Sequence, residues 1–126
     1  MMNTTIRRKS DAALRFAERR QREEEASRLS NEVPGLVTLQ LDIEERTAIF
    51  TVKYTRRVVV GRAPALFLVP CGDSRCVDEH DLTTAVMRAL RAGQTSFQGS
   101  DECRGTVGTS VCTRVVHFDA VAQYRT

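Results

Sequence analysis

No apolar stretch in this sequence approaches the roughly 20 residues that a membrane-spanning helix needs. The first eight residues carry a net positive charge from Arg7 and Arg8, but no apolar segment follows them as it would in a secretory signal. We therefore expect a cytoplasmic protein that makes no contact with a membrane. Tryptophan is absent and only seven residues are aromatic, so we expect a modest core. The length of 126 residues is that of a single domain.

Recognisable catalytic motifs are also missing. The sequence contains no Gly-x-Ser-x-Gly, His-Glu-x-x-His, phosphate-binding loop, Gly-x-Gly-x-x-Gly or Cys-x-x-Cys. Its two histidines, His80 and His117, are too far apart in sequence to indicate a catalytic set. His80 precedes a predicted helix, where it is either a metal ligand or general base, or an exposed residue beside a helix cap. The pattern favours a protein that is not an enzyme.

A strong excess of charge is lacking as well. The formal net charge is +3, and residues 1–30 supply all of it, with eight basic and five acidic side chains, whereas residues 31–126 are neutral. This weak excess favours a protein partner over a nucleic acid. If phosphates are bound, the candidate residues are those of the N-terminal segment: Arg7, Arg8, Lys9, Arg15, Arg19, Arg20 and Arg22.

What the sequence does contain is four cysteines, Cys71, Cys76, Cys103 and Cys112, as a C-x4-C pair and a C-x8-C pair separated by 26 residues. Cytosolic thiols stay reduced, which favours metal or thiol chemistry over disulfides. Both pairs lie on predicted loops, and four thiolates are a common ligand set for one structural zinc ion. Plain or disulfide-paired cysteines, redox chemistry and an iron–sulfur cluster remain alternatives. For the plant-type ferredoxin spacing, Glu79 stands where a third cysteine is required.

The periodicities predict an α+β fold: a small antiparallel sheet with one packed helix, an N-terminal charged helical arm and zinc-stapled loops. Apolar residues alternate from Val37 to Ile43, which predicts a strand with Val37, Leu39, Leu41 and Ile43 on the core face. Further strands are predicted over 48–52, 55–60, 65–69, 96–98 and 112–123, with a loop over 99–110. Helical spacing predicts helices over 10–30 and 82–92, the second ending at Gly93.

These patterns predict a charged arm over residues 1–33 and an α+β domain with the four-cysteine site over residues 34–126. The function they favour is a small zinc-stabilised binding or regulatory module with a protein or nucleic-acid partner. Two alternatives remain. One is a thiol, redox or metal-dependent enzyme that uses Cys71, Cys76 and His80. The other is a structural or assembly protein.

Overall fold

The computed structural model describes residues 4–47, 49–73 and 75–125, without the side chains of residues 4–11. Along the chain the elements are α1 (Thr4–Glu25), α2 (Leu29–Glu32), β1 (Leu36–Arg46), β2 (Thr51–Val58), β3 (Leu68–Pro70), β4 (Glu79–Asp81), α3 (Thr83–Arg91), β5 (Ser96–Glu102), β6 (Thr106–Val107), β7 (Ser110–Val111) and β8 (Val115–Tyr124). Within that described part of the chain, no helix combines the length and the apolar character that crossing a membrane requires.

A four-stranded antiparallel sheet, in the order β2-β1-β8-β5, is the centre of the fold. One face is apolar because side chains alternate along each strand. On this inner face β1 and β8 bury Leu39, Leu41, Ile43, Val116, Phe118, Ala120 and Ala122, in one core cluster with Leu82, Val86 and Leu90 of the α3 region. The predicted α+β fold, an antiparallel sheet with one packed helix, is therefore confirmed.

The first residues of β1 depart from the predicted alternation of buried and exposed side chains. Val37 is 48% exposed, whereas Leu36 is 3% exposed and belongs to the core. The pairing of β1 with β8 shifts register between Leu36 and Thr38, as a β-bulge does. One extra residue reverses the face of every side chain before it. The prediction was therefore right for Leu39, Leu41 and Ile43 and wrong for Val37.

Helix α3 is bounded by a side-chain hydrogen bond at its start and by the predicted Gly93 at its end. The Asp81 carboxylate accepts a hydrogen bond of 3.0 Å from the backbone N–H of Thr83 in the first turn. Gly93 has φ +72°, the left-handed geometry that favours glycine after a helix. The Thr83 hydroxyl accepts from the backbone N–H of Phe67 at 2.8 Å, which ties α3 to the segment before β3.

The N-terminal region contains two helices where the sequence predicted one over 10–30. Helix α1 is exposed, with Leu14 60% and Phe16 54% accessible. Beyond it, Leu29 and Val33 are buried in the main core. The backbone N–H of Leu29 donates to the carbonyl of Ala63 at 2.9 Å. Residues just after α1 are therefore attached to the sheet domain, although they lie inside the predicted arm of residues 1–33.

The remaining differences concern the number and the length of the strands, and β4, β6 and β7 were not predicted. Strand β2 is continuous over Thr51–Val58, while Ala48, in the predicted strand over 48–52, lies outside the described residues. Strand β5 extends to Glu102 into the predicted loop over 99–110, which also contains β6 and β7. The extension was hidden because its inward positions are Gly99 and Asp101 rather than apolar residues. Gly99 is needed there: a Cβ would lie 2.7 Å from the Phe118 ring.

Candidate metal centre

Three loops at one end of the sheet deliver the four cysteines. Cys71 follows β3 directly, and Cys76 lies before β4 with its backbone N–H bonded to the Asp73 carbonyl at 2.9 Å. Cys103 follows β5, and its N–H donates to the carbonyl of Arg114 at 2.9 Å. The N–H of Cys112, after β7, donates to the Gly105 carbonyl at 2.9 Å. Backbone hydrogen bonds therefore fix each cysteine independently of the sulfurs.

The four sulfurs converge on one point. All four Sγ atoms lie within 4.8 Å of one another. Cys71 Sγ is 3.7 Å from Cys112 Sγ, and Cys76 Sγ is 3.6 Å from Cys103 Sγ. Zinc–sulfur bonds of about 2.3 Å in a tetrahedron place sulfurs about 3.8 Å apart. These spacings are too long for the disulfide length of about 2.05 Å, and all four cysteines are free. The cluster can therefore hold one tetrahedral ion.

Glycine makes this convergence possible on the Cys76 side. A Cβ at Gly105 would lie 2.6 Å from Cys76 Sγ and 2.7 Å from the Cβ of Asp78. Real Cβ atoms essentially never approach another heavy atom so closely. Gly105 therefore lets the β5–β6 loop pack directly on the cysteine cluster.

Burial sets the protonation of the thiols without an ion. It raises the pKa of Cys71 above its usual range and that of Cys103 to about 12. Burial also acts to raise the pKa of Cys112, but hydrogen bonds from the Arg114 backbone and from the neighbouring thiols together lower it. Without an ion the cluster therefore favours thiols at Cys71 and Cys103, and Cys112 is the cysteine whose pKa is lowered rather than raised. Only Cys71 is partly exposed; the other three are buried.

His80 lies beside this cluster, on β4. It is fully buried, which contradicts the exposed position expected for a residue beside a helix cap. Its Nδ1 is 3.3 Å from Oδ2 of Asp101, on β5. A carboxylate accepts hydrogen bonds, so the ring proton belongs on Nδ1. His80 Nε2 is buried and has no hydrogen-bond partner among the described residues.

Glu45 is the second buried acid–base group at this end of the sheet, only 6% exposed. Its carboxylate forms an ion pair with Arg114 and accepts a hydrogen bond of 2.9 Å from the backbone N–H of Gly72. A Cβ at Gly72 would overlap with this carboxylate, so glycine is required for the approach. The contact holds the residue after Cys71 against β1.

Three charged residues of this site were not predicted from the sequence: Glu45, Asp101 and Arg114. Glu45 continues the inward positions Leu39, Leu41 and Ile43 at a spacing of two residues. Across the sheet Glu45 pairs with Val116, and Val116 pairs with Asp101. A charged residue in the buried phase of a strand needs a compensating partner. A charged residue at a position where the alternation of the strand predicts a buried side chain was therefore the feature of the sequence that could have revealed Glu45.

The candidate phosphate-binding residues are only partly available. Glu79, on β4, forms ion pairs with Arg19 at 2.9 Å and with Arg22. Arg15 and Arg20 are exposed and lie near acidic residues of their own helix. The side chains of Arg7, Arg8 and Lys9 lie outside the described residues. In the described part of α1, two arginines therefore hold the helix on the domain rather than face solvent as a free basic surface.

Known proteins offer no match. No protein-family model fits this chain, and no curated protein or solved structure is significantly similar to it.

Proposed function

We propose that this protein is a small binding module for a protein partner, in which Cys71, Cys76, Cys103 and Cys112 hold one structural zinc ion. The spacing of the four sulfurs carries the metal part of this proposal. Four protein thiolates complete a tetrahedral shell and leave no position for a substrate, as in structural rather than catalytic zinc sites. In this role the ion holds together loops that have little apolar core of their own.

Support for a binding role comes from the surface next to the cluster. A cleft of about 470 Å³ lies beside Cys112, between the tips of the β1–β2 and β6–β7 hairpins. Apolar residues line it, and Ile49 is 90%, Val111 69% and Phe50 49% exposed. Soluble proteins rarely gather exposed apolar side chains around one concavity without a binding role. The chemistry of the lining suits an apolar side chain of a protein partner.

Charge favours a protein over a nucleic acid. In the described part of the cleft, the basic groups Arg75 and Arg114 are accompanied by carboxylates of Asp73 and Glu45. The Arg114 guanidinium also lies 5.4 Å from the centroid of the Phe50 ring. A phosphate backbone requires a continuous basic surface, whereas this mixture of apolar, cationic and acidic groups is typical of protein interfaces.

Site-specific photo-crosslinking tests the proposal. A photoreactive amino acid at Ile49 is expected to capture a discrete protein in cells, and Val111→Asp should abolish the adduct. The matched control is the same label at Val121, which is 54% exposed but lies on the outer face of the sheet. Equal adducts at both positions, or none at Ile49, would refute the binding surface.

The zinc part is tested separately on the purified protein. Elemental analysis should find zinc in the native protein, and a strong chelator should lower the melting temperature by more than 10 °C, because binding of structural zinc is coupled to folding. Cys103→Ser should reproduce this loss. Ser110→Ala, at an exposed position near Cys112 in sequence, should not. A chelator that leaves the melting curve unchanged would show that the cysteines are simply buried.

A further inference from the structure

A second group of metal-binding side chains adjoins the four-cysteine cluster. One carboxylate oxygen of Glu45, Sγ of Cys71 and one ring nitrogen of His80 all lie within 4.8 Å of one another. They come from β1, from the loop after β3 and from β4. Glu45 and His80 are buried, and Cys71 is the cysteine of the cluster that is partly exposed. Cys71 thus belongs to both groups.

His80 is arranged as a metal ligand is. Asp101 accepts the Nδ1–H, so the lone pair lies on Nε2. Histidines that bind metals commonly donate their other ring N–H to a carboxylate in this way, which fixes the tautomer and the ring orientation. Nε2 is fully buried and has no hydrogen-bond partner within the described chain. A buried polar atom without a partner is costly, and a bound cation removes that cost.

The charge of the surroundings also calls for a second cation. Four thiolates together with Glu45 and Asp101 carry more negative charge than one Zn²⁺, Arg114 and Arg104, which pairs with Asp101 at 3.8 Å, can neutralise. Uncompensated charge is expensive in a buried site. The Arg114 and Gly72 contacts leave lone pairs free on the Glu45 carboxylate, which has about four acceptor positions.

We infer that Glu45, Cys71 and His80 form a second site for a divalent cation, with Cys71 Sγ bridging it to the ion in the four-cysteine cluster. This inference rests on the proposed four-cysteine zinc site. A mixed nitrogen, oxygen and sulfur set suits Zn²⁺. Three protein ligands leave one tetrahedral position open, which takes a water molecule or an oxygen donor of a bound molecule.

Stoichiometry tests the inference directly. Metal-free, reduced full-length protein is titrated with Zn²⁺, and bound ions are counted by native mass spectrometry. The wild type should bind two ions per chain. His80→Ala should bind one, because only the second site loses a ligand. His117→Ala is the matched control and should still bind two, since His117 lies on the outer face of the sheet.

Cobalt gives an independent signal. Two Co²⁺ ions that share the Cys71 thiolate should couple magnetically. The paramagnetic signal of the protein with two equivalents of Co²⁺ should therefore be smaller than that of two isolated ions. His80→Ala should lose this coupling and retain the thiolate-to-cobalt absorption of the first ion.

The outcomes separate the two proposals. A wild type that binds no ion refutes the four-cysteine site. A wild type that binds only one ion refutes the second site and leaves the first intact. Two ions in both the wild type and His80→Ala place the second ion elsewhere and also refute the inference. If His80→Ala does not fold, His80→Asn replaces it, and the wild-type count still decides.

Discussion

The His80 imidazole and the Asp101 carboxylate meet at 3.3 Å across two different sheets, β4 in one and β5 in the other. Asp101 stands in the inward phase of β5, in the same row of the main sheet as Val116 and Glu45. The pair therefore joins the small β3–β4 sheet to the main sheet at the point where the cysteine loops converge. At this end of the sheet, polar contacts therefore replace the apolar packing of the core.

The loop that carries Gly105 provides a sharp test of the packing around the cluster. Gly105→Ala would place a Cβ 2.6 Å from Cys76 Sγ, so the loop or the sulfur must move. We expect a Zn²⁺ affinity at least about tenfold weaker, corresponding to about 1.4 kcal/mol, measured by competition with a chromophoric chelator. Gly61→Ala is the control, because no atom lies within 4 Å of the added Cβ. Equal affinities for the two variants would contradict the role given to Gly105.

The bulge at the start of β1 predicts opposite results for two neighbouring apolar residues. Leu39 is 2% exposed, so Leu39→Ala should lower the free energy of unfolding by about 2–5 kcal/mol through lost burial and a cavity. Val37 is 48% exposed, so Val37→Ala should change it by no more than about 0.5 kcal/mol. Urea denaturation of zinc-loaded protein measures both. Similar losses for the two variants would place Val37 in the core.

The same elements show which features of the fold and of the site could be predicted from the sequence and which could not. The position of helix α3 and the burial of three β1 residues were predictable: Leu39, Leu41 and Ile43. In both elements the spacing of the apolar residues matches the side chains that are buried. The exposure of Val37 was not predictable, because a single extra residue in a strand leaves no mark on composition. The convergence of two cysteine pairs was predictable from their position on loops. The burial of His80 and its contact with Asp101 were not, because Asp101 occupies an inward position of β5 whose polarity obscures the strand pattern.

Zinc affinity should rise with pH. Burial raises the pKa of Cys71 and that of Cys103 to about 12, so both thiols keep their protons at neutral pH without an ion. Zinc binds thiolates, so binding releases these protons, and the apparent affinity should increase by about tenfold per pH unit for each proton released. Competition titrations at pH 6, 7 and 8 measure the slope. A flat profile would mean that the thiols are not ligands.

The metal-free fold should respond to pH in the opposite direction. A thiol whose folded-state pKa is raised contributes stability below its ordinary pKa, and this contribution is lost as the pH rises through the folded-state value. The lowered pKa of Cys112 opposes the trend for one of the four groups. Chelator-treated protein should therefore begin to lose stability as the pH rises above the ordinary thiol pKa of about 9 and should lose more toward pH 12, measured by thermal unfolding under reducing conditions.

Two truncations locate the boundary between the N-terminal helix and the domain. Removal of residues 1–25 deletes α1 and the pairs of Arg19 and Arg22 with Glu79. We expect a loss of about 1 kcal/mol, because removal of the helix returns the Glu79 carboxylate to water, which compensates for most of the lost pairing. Removal of residues 1–30 also deletes Leu29, which is 0% exposed, and should cost about 2–5 kcal/mol more. If both truncations unfold alike, α1 itself is required for the fold.

The sequence separation of the cysteines bears on when the proposed ion could bind during folding. Two of the sulfur–sulfur contacts join residues 41 and 27 positions apart and are nested, Cys71 with Cys112 around Cys76 with Cys103. Neither sequence-local pair can assemble the site alone, so α3 and β5 must first bring the chain back on itself. Contacts of such long sequence separation form slowly, because loop closure must precede them. The proposed ion could therefore engage all four thiols only after the sheet has brought their loops together.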